Sequence, residues 1–224
     1  AKYLNRAELL LSVSEFQAQL YAMNGFPQVK VNRNGIVTRP VLPKKTEGSN
    51  KICLGYAGGI CVHKGYHFLK EAVVKAQLSN SEITVIDLFM NDSLTRKETW
   101  GTTSVTFIPK QSAEEMPKFF SQIDVLVAPS LWPESFGLIT REAVYAEVWA
   151  VASDKGGLAE DIRPGINGDI FSVDNTGELI SILQKIDRNP QKYKQRHFCE
   201  ANYIRSIDEQ VTELENFYGN ILAE

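Results

Sequence analysis

The sequence has few of the residues that build disulfide frameworks and zinc sites. Its cysteines are odd in number and form no CxxC pair: Cys53, Cys61 and Cys199. Its histidines are not spaced as a metal-binding set: His63, His67 and His197. A chain with so little cysteine fits a reducing compartment better than a disulfide-stapled secreted domain. These counts also argue against a structural metal site.

Long apolar runs and an excess of one charge are missing as well. No uncharged apolar run approaches the ~18 residues that a membrane span needs, and no signal-peptide pattern opens the chain. Lysine and arginine total 24 against 27 aspartate and glutamate, a formal charge of −3. No strong field is present to recruit nucleic acid or anionic lipid. Because the first residue is Ala1 rather than Met, we expect a piece of a longer protein.

The residues that are present indicate a folded α/β domain. Apolar residues make up 43% of the chain and charged residues 23%, both typical of globular proteins. Short apolar runs alternate with longer amphipathic stretches. The predicted strands cover residues 9–13, 29–31, 52–57, 83–89, 104–108, 124–129 and 149–152. The predicted helices cover residues 15–23, 66–77, 112–121, 136–147, 178–186 and 207–222, and the tail from residue 190 is mostly helical.

Apolar strands that alternate with helices predict a parallel sheet covered on both faces, a doubly wound α/β fold. Such sheets bind ligands beyond the carboxyl ends of their strands, so a ligand site is expected at the turns from strand to helix. Residues 38–50 contain Pro40, Pro43, Gly48 and Ser49 and are predicted to form a linker.

The first informative turn is residues 58–65, between a strand and a helix. Gly58 and Gly59 allow a ligand to approach the backbone, the start of the helix favours an anion, and Lys64 adds a positive charge. This combination suits a phosphate. Taken alone, it fits equally well a surface loop in which the glycines permit turns and the lysine is solvated.

The second turn follows the predicted strand 124–129. Phe136, Gly137 and Leu138 are expected to supply first-turn amide donors, with Glu134 just before them and Glu142 two helical turns after Glu134. Two carboxylates beside amide donors suit a ligand that carries hydroxyls next to a phosphate. The alternatives are a Glu134 that caps the helix and a Glu142 that is merely solvated.

Together these residues resemble a known family. Glu134 and Glu142, separated by seven residues, resemble the E-x7-E motif of retaining glycosyltransferases of the GT-B fold. Residues 129–143 are similar to the donor-site signature of glycosyltransferase family 4 (the group 1 transferases), and the similarity continues through 151–161 and 165–168. Upstream, Gly58, Gly59 and Lys64 resemble the phosphate loop of that family, and residues 32–36 resemble its crossover between domains.

The resemblance implies the organisation of the chain and its partners. It predicts the end of an N-terminal acceptor domain with the crossover in 1–37, the linker in 38–50, a sugar-nucleotide-binding domain in 51–189 and C-terminal helices in 190–224. The implied reaction is retaining, needs no metal or other cofactor, and moves a sugar from a nucleotide-sugar donor to a saccharide or lipid-linked acceptor. The implied setting is cytoplasmic polysaccharide biosynthesis, including the inner face of the membrane, with no nucleic-acid partner. This piece alone is expected to be inactive.

The resemblance also implies roles for single residues. Lys64 and the Gly58–Gly59 backbone would hold the diphosphate, helped by the amides of Phe136, Gly137 and Leu138. Glu134 would act catalytically by contacting the transferred sugar, and Glu142 would contact the ribose. The list of residues in this expected sugar-nucleotide site is Gly58, Gly59, Lys64, Glu134, Phe136, Gly137, Leu138 and Glu142.

Three positions depart from the family pattern. Gly59 stands where the family usually has Arg, so Lys64 is the one evident cation of the loop. Glu147 and Trp149 stand where a Gly and a Pro usually separate the signature helix from the next strand. Two other functions stay open: a GT-B-like sugar-nucleotide epimerase, and a non-catalytic nucleotide-binding module, which the missing Arg would permit.

Overall fold

The computed structural model describes residues 3–44, 50–91, 94–195 and 204–223. The strands within these ranges are β1 (Leu11–Ser12), β2 (Lys30–Val31), β3 (Ile52–Tyr56), β4 (Ser81–Asp87), β5 (Arg96–Trp100), β6 (Thr103–Pro109), β7 (Val125–Ala128), β8 (Trp149–Ser153) and β9 (Gly168–Phe171). The α-helices are α1 (Glu15–Met23), α2 (Tyr66–Ala76), α3 (Met116–Gln122), α4 (Leu138–Tyr145), α5 (Thr176–Arg188), α6 (Pro190–Lys194) and α7 (Ile207–Leu222). Two short 3₁₀ helices cover Leu4–Arg6 and Gly157–Ala159.

The main sheet has seven strands in the order β5-β6-β4-β3-β7-β8-β9. All neighbouring pairs are parallel except β5 with β6. The chain moves outward from β3 through β4 to β6, and then crosses back to β7 and moves outward in the other direction. The predicted doubly wound α/β fold is therefore confirmed, and β3 and β7 meet at its switch point.

Helices cover both faces of this sheet. On one face, Leu69 and Val73 of α2 pack with Leu183 and Ile186 of α5 in the largest apolar cluster. On the other face, α3 and α4 pack against the sheet through a second cluster, which includes Phe119. Because both faces are covered, the central strands are buried nearly throughout, as their continuous apolar sequences predict.

Strands β5 and β9 were not predicted from the sequence. Strand β5 is antiparallel to β6, so the sheet is parallel except at this edge. Its sequence begins Arg96, Lys97, Glu98 and is mostly exposed, which is the composition expected of a protected edge strand. Strand β9 is only four residues long and begins at Gly168. Neither segment contains the apolar run by which the other strands are recognised.

The crossover and the C-terminal helix are joined to each other. Ile36 pairs with Ser206, and the amide of Ile207 donates to the carbonyl of Ile36. A Cβ on Gly35 would lie 2.0 Å from the carbonyl oxygen of Ser206, so glycine is required by close approach. Strands β1 and β2 form a separate two-stranded parallel sheet beside α1. The proposed boundaries at 37, 50 and 189 stay predictions.

The linker and the tail are described in part. Residues 38–44 form neither helix nor strand, and residues 45–49 lie outside the described residues, as do 196–203 with His197 and Cys199. The tail is helical in α6 and in α7, whose bounds match the prediction. None of the helices in the described ranges combines the length and the apolar character that a bilayer crossing requires.

Helix α4 is shorter than the predicted 136–147. It begins at Leu138 because Gly137 has a φ of +88°, and it ends at Tyr145 because Glu147 has a φ of +60°. The amide of Glu147 donates to the carbonyl of Val144. A left-handed residue after a helix is ordinarily glycine, since a Cβ is disfavoured there. This conformation explains why the resembling family has Gly at the position of Glu147.

We predict that Glu147→Gly stabilises the protein. Relief of the left-handed strain outweighs the greater entropy of glycine in the unfolded chain, so the free energy of unfolding should rise by about 0.5–1 kcal/mol. Urea unfolding measures this change. Glu147→Ala is the matched control, because it removes the same carboxylate and keeps Cβ. Equal stability of the Gly and Ala variants would contradict the explanation.

Candidate functional site

A cavity of about 380 Å³ lies at the carboxyl ends of β3 and β7. It collects most of the residues predicted for the site. Its walls come from the loop after β3, from the loop after β7 and from the start of α4: Tyr56, Ala57, Gly58, Lys64, Ser130, Glu134, Ser135, Phe136, Gly137, Leu138 and Ile139, with Asn34 from the crossover. Gly59 and Glu142 are not among the lining residues.

The loop after β3 is braced by a tyrosine that the sequence-based prediction missed. The Tyr56 hydroxyl donates to the carbonyl of Gly59 at 2.9 Å and lies 3.3 Å from the carbonyl of Lys64. Burial raises the pKa of Tyr56, so its hydroxyl keeps its proton and acts as a donor. The loop that carries Lys64 is thereby held at both of its ends. The only sequence signal for this bracing role is that a tyrosine is the last residue of an otherwise apolar strand.

Gly59 has a conformation that excludes most other residues. Its φ is +66°, and a Cβ built there would lie 2.7 Å from Leu88 Cδ1. An arginine, the usual residue of the resembling family, would therefore be strained in this loop as it is folded. Gly59 contributes its backbone only, and the cavity obtains its positive charge from Lys64.

Lys64 and Glu134 meet inside the cavity. Lys64 Nζ lies 2.9 Å from Glu134 Oε1, with 37% and 18% of the two side chains exposed. The hydroxyl of the buried Ser130 donates to the same carboxylate oxygen. The pair joins the two loops that the sequence analysis treated separately. Ser130 was missed, although its position four residues before Glu134 was visible.

The backbone around Glu134 is fixed by the turn after β8. The amide of Gly157 donates to the carbonyl of Glu134 at 2.7 Å. Gly156 has a φ of +75°, and a Cβ there would lie 2.2 Å from the same carbonyl oxygen. Any side chain at Gly156 would push the Glu134 backbone away. The resembling segment 151–161 thus supports the carboxylate without lining the cavity itself.

The expected first-turn amides require a correction. Phe136 and Gly137 precede α4, so only Leu138 belongs to its first turn. The Phe136 ring is buried and stacks on the guanidinium of Arg141, whose carbon lies 3.5 Å from the ring centroid. All three residues still line the cavity, because the loop brings Phe136 and Gly137 beside the start of the helix.

Glu142 does not share the cavity of Glu134. It lies four residues after Leu138 on α4 and faces a second, small cavity of about 30 Å³ under residues 36–42. This cavity is mostly apolar and is closed on its other side by α3. Burial raises the pKa of Glu142, and the neighbouring Arg39 opposes that shift. The structure therefore separates the two carboxylates, and the ribose role of Glu142 stays a prediction.

Comparisons with known proteins place this chain in a family. The profile of the family "Glycosyl transferases group 1" matches residues 39–203. The chain belongs to this family. It is 28% identical over 159 residues to an uncharacterized 41.2 kDa protein of the cps region of Klebsiella pneumoniae, covering 70% of this chain and 43% of that protein. It is 38% identical over 139 residues to the D-inositol 3-phosphate glycosyltransferase of Mycobacterium bovis, covering 54% of this chain and 29% of that protein.

Solved structures share the fold at low sequence identity. HepE of Anabaena in complex with UDP-glucose superposes with a TM-score of 0.77 at 19% identity, covering 98% of this chain and 66% of that one. Sucrose-phosphate synthase of Thermosynechococcus elongatus gives 0.79 at 16% identity, covering 99% and 60%. The expected Rossmann-like half of a GT-B fold is confirmed. The chain spans less than half of the curated relatives named above and about two thirds of these solved chains.

We predict that Glu142→Gln stabilises the unliganded protein at neutral pH. Because the folded-state pKa lies above the unfolded value of about 4.3, the folded protein holds more protons and its stability falls as pH rises through that window. Above the folded-state pKa, the free-energy cost of burying the charged Glu142 carboxylate is fully present. The variant should therefore unfold at higher urea than the wild type at pH 7, and this advantage should shrink toward pH 4.

Urea titrations at both pH values measure this prediction. Glu215→Gln, on the exposed side of α7, controls for the loss of a surface carboxylate. A stability difference of equal size at pH 7 and pH 4 would mean that Glu142 acts through packing and carries no penalty from burial.

Proposed function

We propose that this chain is the donor-binding part of a retaining, metal-independent glycosyltransferase. It would take a sugar from a nucleoside diphosphate and pass it to a saccharide or lipid-linked acceptor held by an N-terminal domain. The observation that carries the proposal is the Lys64–Glu134 pair, which lies in one cavity with a glycine loop and the start of α4. Family membership supports the transferase class, and the mycobacterial relatives named for inositol phosphate support a hydroxylated acceptor.

The diphosphate would lie between the loop after β3 and the start of α4. Lys64 offers the charge, while the Gly58 backbone and the amide of Leu138 offer donors beside a positive helix end. Charge-assisted bonds of this kind are the strong ones in a partly enclosed site. HepE was solved with UDP and with UDP-glucose, which makes uridine diphosphate the first ligand to test.

Glu134 would contact the hydroxyls of the transferred sugar. Before the donor binds, its carboxylate is balanced by Lys64 and by the Ser130 hydroxyl. When a diphosphate draws Lys64 toward itself, the carboxylate becomes available to accept from sugar hydroxyls. Catalysis would then rest on positioning and on stabilising the departing diphosphate as the anomeric carbon gains positive charge. No nucleophile is assigned.

The basic experiment is calorimetric titration of the purified chain with UDP, UDP-glucose and uridine. UDP and UDP-glucose should bind, and ligand at 100 times Kd should raise the free energy of unfolding by ~2.7 kcal/mol. The chain alone should transfer no sugar to added acceptors. Extending the screen to GDP-, ADP- and TDP-sugars covers the other donor bases. Failure of every nucleotide would refute the proposal, and an altered donor without transfer would indicate an epimerase.

We predict that Lys64→Ala weakens UDP binding about ten- to a hundredfold and leaves uridine binding unchanged. Removing a charge-assisted bond costs about 1.5–3 kcal/mol, and tenfold in Kd corresponds to ~1.4 kcal/mol. Lys75→Ala is the matched control, because that lysine is half-exposed on α2 and pairs only with Glu71 among the described ion pairs. Equal losses for UDP and uridine would show that Lys64 acts through folding.

We predict that the two glutamates respond to different parts of the donor. Glu134→Gln should not weaken UDP binding, because Glu134 is assigned to the sugar and its loss frees Lys64 for the diphosphate. The same change should lower kcat in an enzyme that contains the acceptor domain. Glu142→Gln should weaken UDP and UDP-glucose by the same factor, because ribose is common to both. Calorimetry with each variant and each ligand decides the assignment. The reverse pattern would exchange the two roles, and no change in either variant would refute both.

A further inference from the structure

Arg141 is a buried arginine whose contacts gather around the site without lining the cavity. It is 1% exposed. One guanidinium nitrogen, Nη1, donates to three backbone carbonyls: Phe136, Gly137 and Gly157. These carbonyls belong to the loop after β7 and to the turn after β8. A single side chain therefore ties together both loops that hold Glu134.

The direction of these carbonyls determines the direction of two amides. In a planar trans peptide, the C=O of one residue and the N–H of the next point in opposite directions. Because the carbonyls of Phe136 and Gly137 point at Arg141, the N–H groups of Gly137 and Leu138 point away from it. Residues 136–138 line the cavity and Arg141 does not, an arrangement that leaves these two amides able to face it.

The Arg141 guanidinium is also contacted by two carboxylates. Its Nε lies 2.5 Å from Asp161 Oδ2, and Glu160 Oε2 lies 3.8 Å from its Nη2. The Glu160 carboxylate also accepts from the amides of Glu15 and Phe16 at the start of α1. The guanidinium is thus fixed between carboxylates on one side and carbonyls on the other.

We propose that Arg141 is a positioning residue that aims the amides of Gly137 and Leu138 at the diphosphate of the donor. The inference rests on the proposed function, because it concerns the same cavity. A buried ion pair alone adds little stability over an apolar side chain of similar size. An apolar side chain could not hold the carbonyls of Phe136 and Gly157, and it would leave the Gly137 carbonyl with the Thr140 hydroxyl. Nη1 of the guanidinium holds the carbonyls while Nε and Nη2 face Asp161 and Glu160, and a lysine, which has one side-chain nitrogen, cannot make both sets of contacts.

The test compares Arg141→Lys with the wild type by calorimetric titration with UDP and uridine. The variant keeps the buried charge and loses the guanidinium fork. We expect the Kd for UDP to rise at least tenfold while the Kd for uridine is unchanged. Arg205→Lys is the matched control, since Arg205 also bonds backbone carbonyls and a carboxylate, but at the junction of the crossover with α7.

The outcomes separate this inference from the proposed function. If the wild type binds no UDP, the proposed function fails. If the wild type binds UDP and folded Arg141→Lys binds it equally well, the positioning role is refuted. Should Arg141→Lys not fold, the wild type decides the question by amide NMR with added UDP: the resonances of Gly137 and Leu138 must shift and their exchange must slow. Unchanged resonances at both amides, with shifts at Gly58 and Lys64, would overturn the inference.

Discussion

The parallel pairing of β3 with β7 is the constraint on which the cavity depends. Leu54 and Gly55 pair with Val125 and Leu126, so two strands far apart in sequence end at the same edge of the sheet. From β3 the chain continues toward one side of the sheet, and from β7 toward the other. The loops that follow them diverge and leave a crevice, as happens wherever the winding of a doubly wound sheet reverses. The Lys64 loop and the Glu134 loop form the two walls of this crevice.

Within the crevice, Lys64 and Glu134 form a balanced pair that a ligand must rearrange. A diphosphate placed beside Glu134 would meet an unscreened carboxylate if Lys64 did not lie between them. Lys64 is more exposed than Glu134, and its side chain is long enough to follow an arriving anion. The Ser130 hydroxyl donates to the same carboxylate, so Glu134 would keep one partner if the lysine moved. Under the proposed function, one lysine therefore compensates the empty site and helps to bind the donor.

Local patterns predicted much of the fold, because a buried strand is recognised by its own apolar run and an amphipathic helix by its own apolar periodicity. Helices α1 and α7 have the predicted bounds. Strand β5 was missed because an exposed edge needs no apolar run. The start of α4 was misplaced because the sign of φ at Gly137 depends on neighbours that are distant in sequence. The family profile bears out the group 1 glycosyltransferases and the fold bears out the GT-B half, whereas the retaining mechanism, the assignment to family 4 and the roles of single residues stay predictions.

The site residues also divide into those that a local motif identifies and those whose role depends on the tertiary fold. Lys64 and Glu134 were selected from motifs, but their contact depends on the β3–β7 pairing, which no local pattern shows. Tyr56 and Arg141 act through carbonyls, and a sequence records which side chain a residue has, not where its backbone points. Glu142 was grouped with Glu134 by spacing, yet the two face different cavities, because Glu142 lies on the side of α4 that faces α3 and residues 36–42.

The contacts of Tyr56 and Arg141 with backbone carbonyls are important because Gly59 supplies no charged side chain. The resembling family usually has a second cation there, and the left-handed conformation of Gly59 would strain one in this loop. A donor diphosphate would then rely on Lys64 and on oriented amide groups for the rest of its stabilisation. Amides stabilise an anion only when they are held toward it, since a free loop can turn them back to water. Two buried side chains hold the loops, Tyr56 on the β3 side and Arg141 on the β7 side. Under the proposed function, the buried charge of Arg141 orients backbone amides toward the donor, and Lys64 supplies the positive charge that faces it.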